Sequence, residues 1–569
     1  MASLTAKTIR GRKYYYLREC RRVNGKPKIV KQIYLGSAAE VAAALSDPKH
    51  GLVPLPYAPV KDFGALAALF DLATRLGFVD IVDAHVPKRS KTAPSVGAYL
   101  LLAALNRCVA PRSKAKAAAW YEGTSLSRWL PFKPAQLTSQ RFWDNMDRVD
   151  EAAIRAIQGE LTQKIVELFD LDLSCFFYDA TNFFTFIDSF NEDSTLAQRG
   201  KSKEGRTNLR ILGLALIVTA DHHVPLFHHL YPGNQHDAPT FRSVLDDLVV
   251  RYHQLCGGNG KEDVTLVFDK GNNAEDIIQA LDGSPYHIVG SLVPTQHKDL
   301  LAVPRSKLER LDPERFPAEV LSYRTKKEVY GSEFTVLVTW NENLHTAQVK
   351  TLEREVAKRR QKLIDLQGRL RRARKSPRRG KAPTKASVTR AVNRILKGRH
   401  MKELFRITID RRGRALPTLR FRFNGRAWER LDRTLLGKTL LFTDRHEWSD
   451  EDIVTAYRGQ HHVESAFRQM KDPHHLAFRP THHWTDQKLQ VHAFYCVVAF
   501  TLAALLQREV AGAGIERSVP QLLDDLGDIR EVQVLTQSRR GRPRTHHVHS
   551  ELNDAQERLY DALQLERYL

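Results

Sequence analysis

Three acidic residues sit where an acid is costly. Asp179 interrupts the apolar run that starts at Leu173, Asp269 closes the run Val264-Thr265-Leu266-Val267-Phe268, and Glu464 lies at the edge of an apolar helical stripe. An acid set in such a run costs free energy unless a cation or a donor meets it. Taken singly, each has an ordinary reading: a structural cap for either aspartate, and for Glu464 a surface acid paired with Arg468 at i+4. Brought to one point, the three carboxylates repel by about 4 kcal/mol per pair at ~4 Å and an effective dielectric of ~20. A divalent cation removes that repulsion. Hard oxygen donors favour Mg2+ or Mn2+ over zinc, and two ions about 3.5–4 Å apart suit in-line attack at phosphorus. Asp179, Asp269 and Glu464 are therefore the candidate catalytic and metal-ligating residues, with two Mg2+ or Mn2+ ions as the expected cofactor. Tyr457, Glu464 and Lys471 are spaced by seven, which places them on one face of a continuous helix. Tyr457 and Lys471 are then positioned to hold a neighbouring phosphate, and Arg468 flanks Glu464. The implied chemistry is phosphodiester cleavage or strand transfer.

The elements that would carry these residues read as a mixed α/β core. Residues 173–182, 209–220 and 226–231 form three strands, with the Asp221-His222-His223-Val224-Pro225 turn between the second and third. A helix from about Ala238 to Leu255 follows, then a strand ending at Asp269, a helix near Ala274–Leu281 and a strand over His287–Val293. The order βββαβαβ suits a mixed sheet with helices on its faces, and Asp269 falls at a carboxyl end, where open α/β sheets place ligands. Much later come the strand Lys438–Thr443, a Ser449/Asp452 N-cap signal and one helix running Asp450–Lys471. Its stripe is Ile453, Ala456, Val463, Phe467 and Met470. Ahead of the core, residues 12–36 predict a basic, aromatic hairpin around Asn24-Gly25, and 60–168 predicts helices.

Charge identifies the class of partner. The 569 residues hold 88 Lys+Arg against 65 Asp+Glu, a net of +23. Residues 351–400 carry 18 Lys/Arg against Glu353, Glu355 and Asp365, so +15 sits there and +8 on the remaining 519 residues. Concentrated positive charge of this kind points to a polyanion, and in a cytoplasm that is nucleic acid. Leu352, Val356, Leu363, Leu366 and Leu370 at a/d spacing, a breaker over Lys375–Pro383, and Val388, Val392, Ile395 and Leu396 predict a helical hairpin with a basic tip. It would grip DNA or a second protomer. Five cysteines without a C-x-x-C pair exclude a disulfide scaffold and a thiolate zinc site. The N-terminus has no apolar signal region, and the run Ala493–Leu506 falls short of the ~20 residues a membrane span needs, so no membrane partner is expected.

These residues resemble the DDE transposases of bacterial insertion sequences, of the IS-four type. Tyr178-Asp179-Ala180-Thr181-Asn182 is similar to the first-aspartate motif, and Phe268-Asp269-Lys270-Gly271-Asn272 to the second. Leu196–Lys203, Leu212–Leu216 and Tyr231–Asp237 resemble the strands between them. Tyr457, Glu464 and Lys471 match the family's Tyr, Arg, Glu, Lys helix in register, while the arginine slot holds Gln460, with Arg458 nearby. The resemblance implies an RNase H-like mixed sheet flanked by helices and split by an insertion. It also implies Mg2+-dependent cutting at terminal inverted repeats and transfer into target DNA, within a homodimeric synaptic complex. Double-stranded DNA, at transposon ends and target, would meet Tyr457, Arg458, Lys471, Arg468, Lys203 and Lys270.

The expected organisation is a basic hairpin region over 1–50, a helical DNA-binding module over 51–168, and a first core part over 169–295. An insertion over 296–437, a last core part over 438–515 and a basic tail over 516–569 complete it. The expected location is a bacterial cytoplasm, on the nucleoid when DNA is bound. Two other functions suit the same residues: a metal nuclease of this fold that does not transpose, and an inactive DNA-binding relative. The five histidine doublets make poor zinc sites, because adjacent strand residues point to opposite faces. Asp237 reads as a helix cap, Gly257–Gly260 as a loop, and Arg539–Arg544 as a minor-groove hook or a basic loop.

Overall fold

The computed structural model describes the chain except residues 1, 10–11, 24–25, 39–40, 42–58, 88–92, 189, 201, 203–204, 206–207, 236–240, 243, 245–246, 248–263, 274, 283, 285, 376–381, 412–414 and 537–543. The chain divides into two compact units, Met1–Val264 with Gly459–Leu569, and Thr265–Arg458.

The first unit opens with antiparallel strands β1 (Ala2–Ile9), β2 (Arg12–Val23) and β3 (Lys26–Ser37). The sequence predicted the last two; β1 lacks the aromatic density that marks β2 as a strand. After β4 (Val60–Asp62) come the predicted helices, α1 (Gly64–Arg75), α2 (Phe78–His85), α3 (Val96–Val109), α4 (Ala117–Glu122), α5 (Ser139–Met146) and α6 (Glu151–Phe169). Ser95, Thr138 and Asp150 cap α3, α5 and α6, each accepting a backbone N–H from the first turn. The chain then forms an antiparallel meander, β5 (Cys175–Phe184), β6 (Ile211–Thr219) and β7 (Pro225–Pro232). Every residue of β6 is buried, which explains its unbroken apolar sequence. In the turn to β7, His222 and His223 take φ of 52° and 60°, the left-handed conformation that tight hairpins require.

The second unit carries β8 (Thr265–Phe268), α7 (Glu275–Asp282), β9 (His287–Ser291), β10 (Glu309–Arg310), β11 (Val320–Val329) and β12 (Ser332–Asn341). A separate layer follows: α8 (Glu342–Lys375), α9 (Lys385–Ile395), α10 (Met401–Leu404), β13 (Phe405–Asp410), β14 (Thr418–Phe423) and α11 (Gly425–Thr434). The unit ends with β15 (Lys438–Thr443) and α12 (Asp450–Arg458). Its sheet runs β10-β11-β12-β15-β9-β8, antiparallel except for the parallel β8/β9 pair that α7 connects. The predicted seam is a core in its own right. Leu352, Leu363, Leu366 and Leu370 of α8 are buried with Val388 and Val392 of α9, Phe405, Leu419 and Leu431.

The chain returns to the first unit with α13 (His461–Met470), α14 (Asp486–Gly512), α15 (Val519–Gly527), β16 (Arg530–Thr536), β17 (Arg544–His549) and α16 (Asp554–Ala562). β16 pairs with both β17 and β4. The apolar run Ala493–Leu506 lies inside α14, a 27-residue helix long and apolar enough to cross a membrane. Its most apolar stretch is 94% buried within the protein, packed on α1, α3 and β7, so it is a core helix.

The predicted single helix Asp450–Lys471 requires correction. It is two helices, α12 and α13, interrupted at Gly459-Gln460, where the His462 amide bonds back to the Gly459 carbonyl at 2.8 Å, an i−3 contact. Glycine at this position raises the cost of helical continuity. The interruption is also the boundary between the units. The seven-residue spacing of Tyr457, Glu464 and Lys471 therefore does not define one helical face.

Candidate active site

In the first unit, Asp179 lies half-buried at the middle of β5 and Glu464 lies exposed in the first turn of α13. α13 packs on β5 and β6 through Val463, Ala466, Phe467 and Met470, all buried. Alternate residues of a strand share a face, so Phe177, Asp179, Thr181 and Phe183 form one row. Two contacts fix α13 along that row. The His462 ring lies 5.1 Å from the Phe177 ring, and Lys471 Nζ donates to Thr181 Oγ1 at 2.8 Å while standing 5.4 Å from the Phe183 ring centre. Nine helical residues, about 13.5 Å, match four strand residues, about 13 Å, so helix and strand keep step between these anchors. Asp179 and Glu464 both lie between them. Gln460, in the slot where the resemblance expects arginine, donates from Nε2 to the Tyr178 carbonyl at 2.9 Å. It thereby holds the strand one residue before Asp179.

A histidine group lies at one end of the same helix. His223 and His462 meet ring nitrogen to ring nitrogen at 2.7 Å, and the His461 and His462 rings lie 4.1 Å apart, tilted by 35°. Burial, then neighbouring imidazoles, push His223 and His462 down to about 4. Both rings are neutral near pH 7. The turn that presents His223 had no sequence signal tying it to α13.

In the second unit, Asp269 follows β8 directly, as predicted. Ser291 Oγ donates to Asp269 Oδ1 at 3.0 Å, and Tyr457 Oη lies 3.1 Å from the same oxygen and 2.9 Å from Ser291 Oγ. Lys270 Nζ stands 3.4 Å from Oδ1. Burial alone would raise the pKa of this carboxyl. The Lys270 ammonium, the Lys270 backbone N–H and the two hydroxyls outweigh it and hold Asp269 below the usual aspartate range. Asn273, four residues on, donates to the Ser291 carbonyl at 2.8 Å and to Tyr330 Oη at 3.0 Å, which locks the loop to the end of β9. A cleft of about 690 Å3 opens beside this acid, lined by Lys270, Ser291 and Tyr457 with Gln348, Arg399 and Lys438 among others.

The other candidate contacts divide the same way. Arg458 stands 4.7 Å from the centre of the Phe316 ring, a cation–π contact in the second unit, and Arg468 is exposed on α13. Lys203 lies outside the described residues, as do Asp237, Gly257–Gly260 and the tip of the Arg539–Arg544 segment. Tyr457, expected to hold a phosphate, has its hydroxyl within hydrogen-bond reach of Asp269 and Ser291. Sequence reasoning missed Ser291 altogether, since only the pairing of β8 with β9 brings that residue near. Two of the three acids thus belong to one unit and the third to the other. Among the described residues, no group of three or more His, Cys, Asp or Glu side chains is placed to hold a metal ion. The chemistry of the donors, carboxylates with hydroxyl neighbours, suits a hard divalent cation.

No family model matches the chain, and no curated protein does. Among solved structures it is similar to one described as the cryo-EM structure of a piggyBac transposase synaptic complex with hairpin DNA. The identity is 8% and the TM-score 0.34, over 83% of this chain and 82% of that one.

Proposed function

We propose that the chain is a DDE transposase of the insertion-sequence, IS-four type. It binds the terminal inverted repeats of its element in the cytoplasm and cuts and joins DNA as a homodimer. In this reading residues 169–295 and 438–515, which hold β5–β9, β15 and α13, are the RNase H-like core, interrupted by an insertion over 296–437 that contains the layer built on α8 and α9. Asp179, Asp269 and Glu464 would hold two Mg2+ or Mn2+ ions, which supply charge neutralisation and an activated oxygen nucleophile when bound. The chain's own residues do the positioning. Ser291, Tyr457 and Lys270 keep Asp269 ionised and fixed, while Gln460 and Lys471 fix β5 against the helix that carries Glu464.

The observation that carries the reading is the alignment of α13 on the Asp179 face of β5. Asp179 and Glu464 both lie between the His462–Phe177 and Lys471–Thr181 contacts, which supports the reading. The motif resemblance around Asp179 and Asp269 supports it independently. Purified protein incubated with Mg2+ and the DNA flanking its gene should cut at inverted repeats, and Asp179→Asn should bind those ends but leave them intact. Near wild-type cutting by that variant would overturn the assignment. Flanking DNA without repeats, cut only at flaps or junctions, would favour the non-transposing nuclease.

A further inference from the structure

Positive charge continues past the basic segment 351–400. Residues 405–426 hold seven arginines and one aspartate, a net of +6, and the fold puts part of that charge in one plane. β13 and β14 form an isolated two-stranded ribbon with Arg406 directly opposite Arg422 and Thr408 opposite Arg420. The odd-numbered residues Phe405, Ile407, Ile409, Leu419 and Phe421 pack into the core built on α8 and α9. The even-numbered face is therefore turned away from that core, with Arg406, Thr408, Arg420 and Arg422 all exposed.

Three features make this face more than a solvated surface. Like charges directly opposite across a ladder are destabilising, and the register sets Arg406 against Arg422 while the acid on this face, Asp410, stands opposite Thr418. The acid nearest in sequence, Glu403, is occupied by His400 and Arg430 at 2.8 and 2.7 Å. The ribbon is also rigid. Gln367 of α8 donates to the Leu419 carbonyl at 2.9 Å, and Arg374 donates to the Leu416 and Pro417 carbonyls at 3.1 and 2.6 Å. Guanidiniums spaced by a directly paired cross-strand neighbour (~5 Å) and by two strand residues (~7 Å) match a densely charged polyanion.

We infer that the β13–β14 ribbon is a second DNA-binding surface, entering the major groove of a duplex with Arg406, Arg420 and Arg422. That groove, about 12 Å wide, admits a two-stranded ribbon, and arginine forks meet phosphate oxygens or the O6/N7 edge of guanine. The inference rests on the DNA substrate proposed above and adds a surface outside the three acids. The test uses the full chain and a random-sequence duplex, with affinity followed between roughly 50 and 200 mM salt. The triple variant R406A/R420A/R422A should show a log Kd against log[salt] slope shallower by roughly 3, because each arginine removed leaves one phosphate with its counterions. R406K/R420K/R422K, which keeps the charges, should retain the wild-type slope. A wild-type slope in the alanine variant overturns the ribbon assignment, as does a weakening confined to single-stranded DNA. A flat wild-type line would remove DNA altogether and with it the proposed function.

Discussion

Asp269 stands inside a ring of donors, whereas Glu464 lies on the exposed side of α13. Two hydroxyls, one ammonium and a backbone N–H already answer the first charge. The second is exposed. The contrast separates what an acid does for the fold from what it does for chemistry. Neutralising Asp269 disturbs a built arrangement, while neutralising Glu464 removes a charge that no packing depends on. The sharpest way to break the comparison is therefore the matched pair E464Q and D269N. Both should reduce DNA cleavage by at least about 10³-fold if they act together at the metal ions. Denaturant unfolding should then part them: E464Q within about 0.5 kcal/mol of wild type, D269N lower by about 1–3 kcal/mol. Equal stabilities would erase the distinction.

A smaller effect is expected from the ring itself. Tyr457→Phe removes a hydroxyl that Asp269 and Ser291 share, and should lower cleavage about 10–100-fold, with a higher Mg2+ requirement. Loss of activity without any shift in the Mg2+ titration would show that Tyr457 serves DNA, as its spacing from Glu464 had suggested. The smallest effect separates the two units by pH. His223 and His462 have folded values of about 4 against an ordinary 6.5, so the unfolded chain binds protons that the fold refuses. Stability of the first unit should fall as pH drops from about 6.5 through about 4, and H223N should flatten that slope. Asp269, held below its ordinary 3.8, contributes stability that is lost only as pH falls further. Limited proteolysis across this range, resolved by fragment, should show the first unit opening at higher pH than the second.

What the sequence made legible follows from the range over which its signals act. β6 and β8 are wholly buried and β5 and β15 largely so, so apolar clusters announced all four, and the two aspartates stood out against such clusters. The seam Leu352, Leu363, Leu366, Leu370 was equally readable because a helix repeats its face locally. Ser291 beside Asp269 was not, for it reaches the acid only through a parallel strand pair. The Gly459-Gln460 interruption was missed because a lone glycine does not abolish a helical pattern on paper. The arginine ribbon had a visible signal, the alternation Phe405-Arg406-Ile407-Thr408-Ile409 against Leu419-Arg420-Phe421-Arg422-Phe423, but it is diluted beside the denser charge of residues 351–400. Its meaning required the register that sets Arg406 opposite Arg422.

The burial of α14 also bears on synthesis. The ribosome makes α1, α3 and β7 long before the helix that covers them, so their oily faces must wait in the emerging polypeptide. Domains generally fold as units once complete, and unfinished ones expose sticky surface. A product halted upstream of Asp486 would accordingly lack the plug of its first unit and collect as aggregate or chaperone cargo.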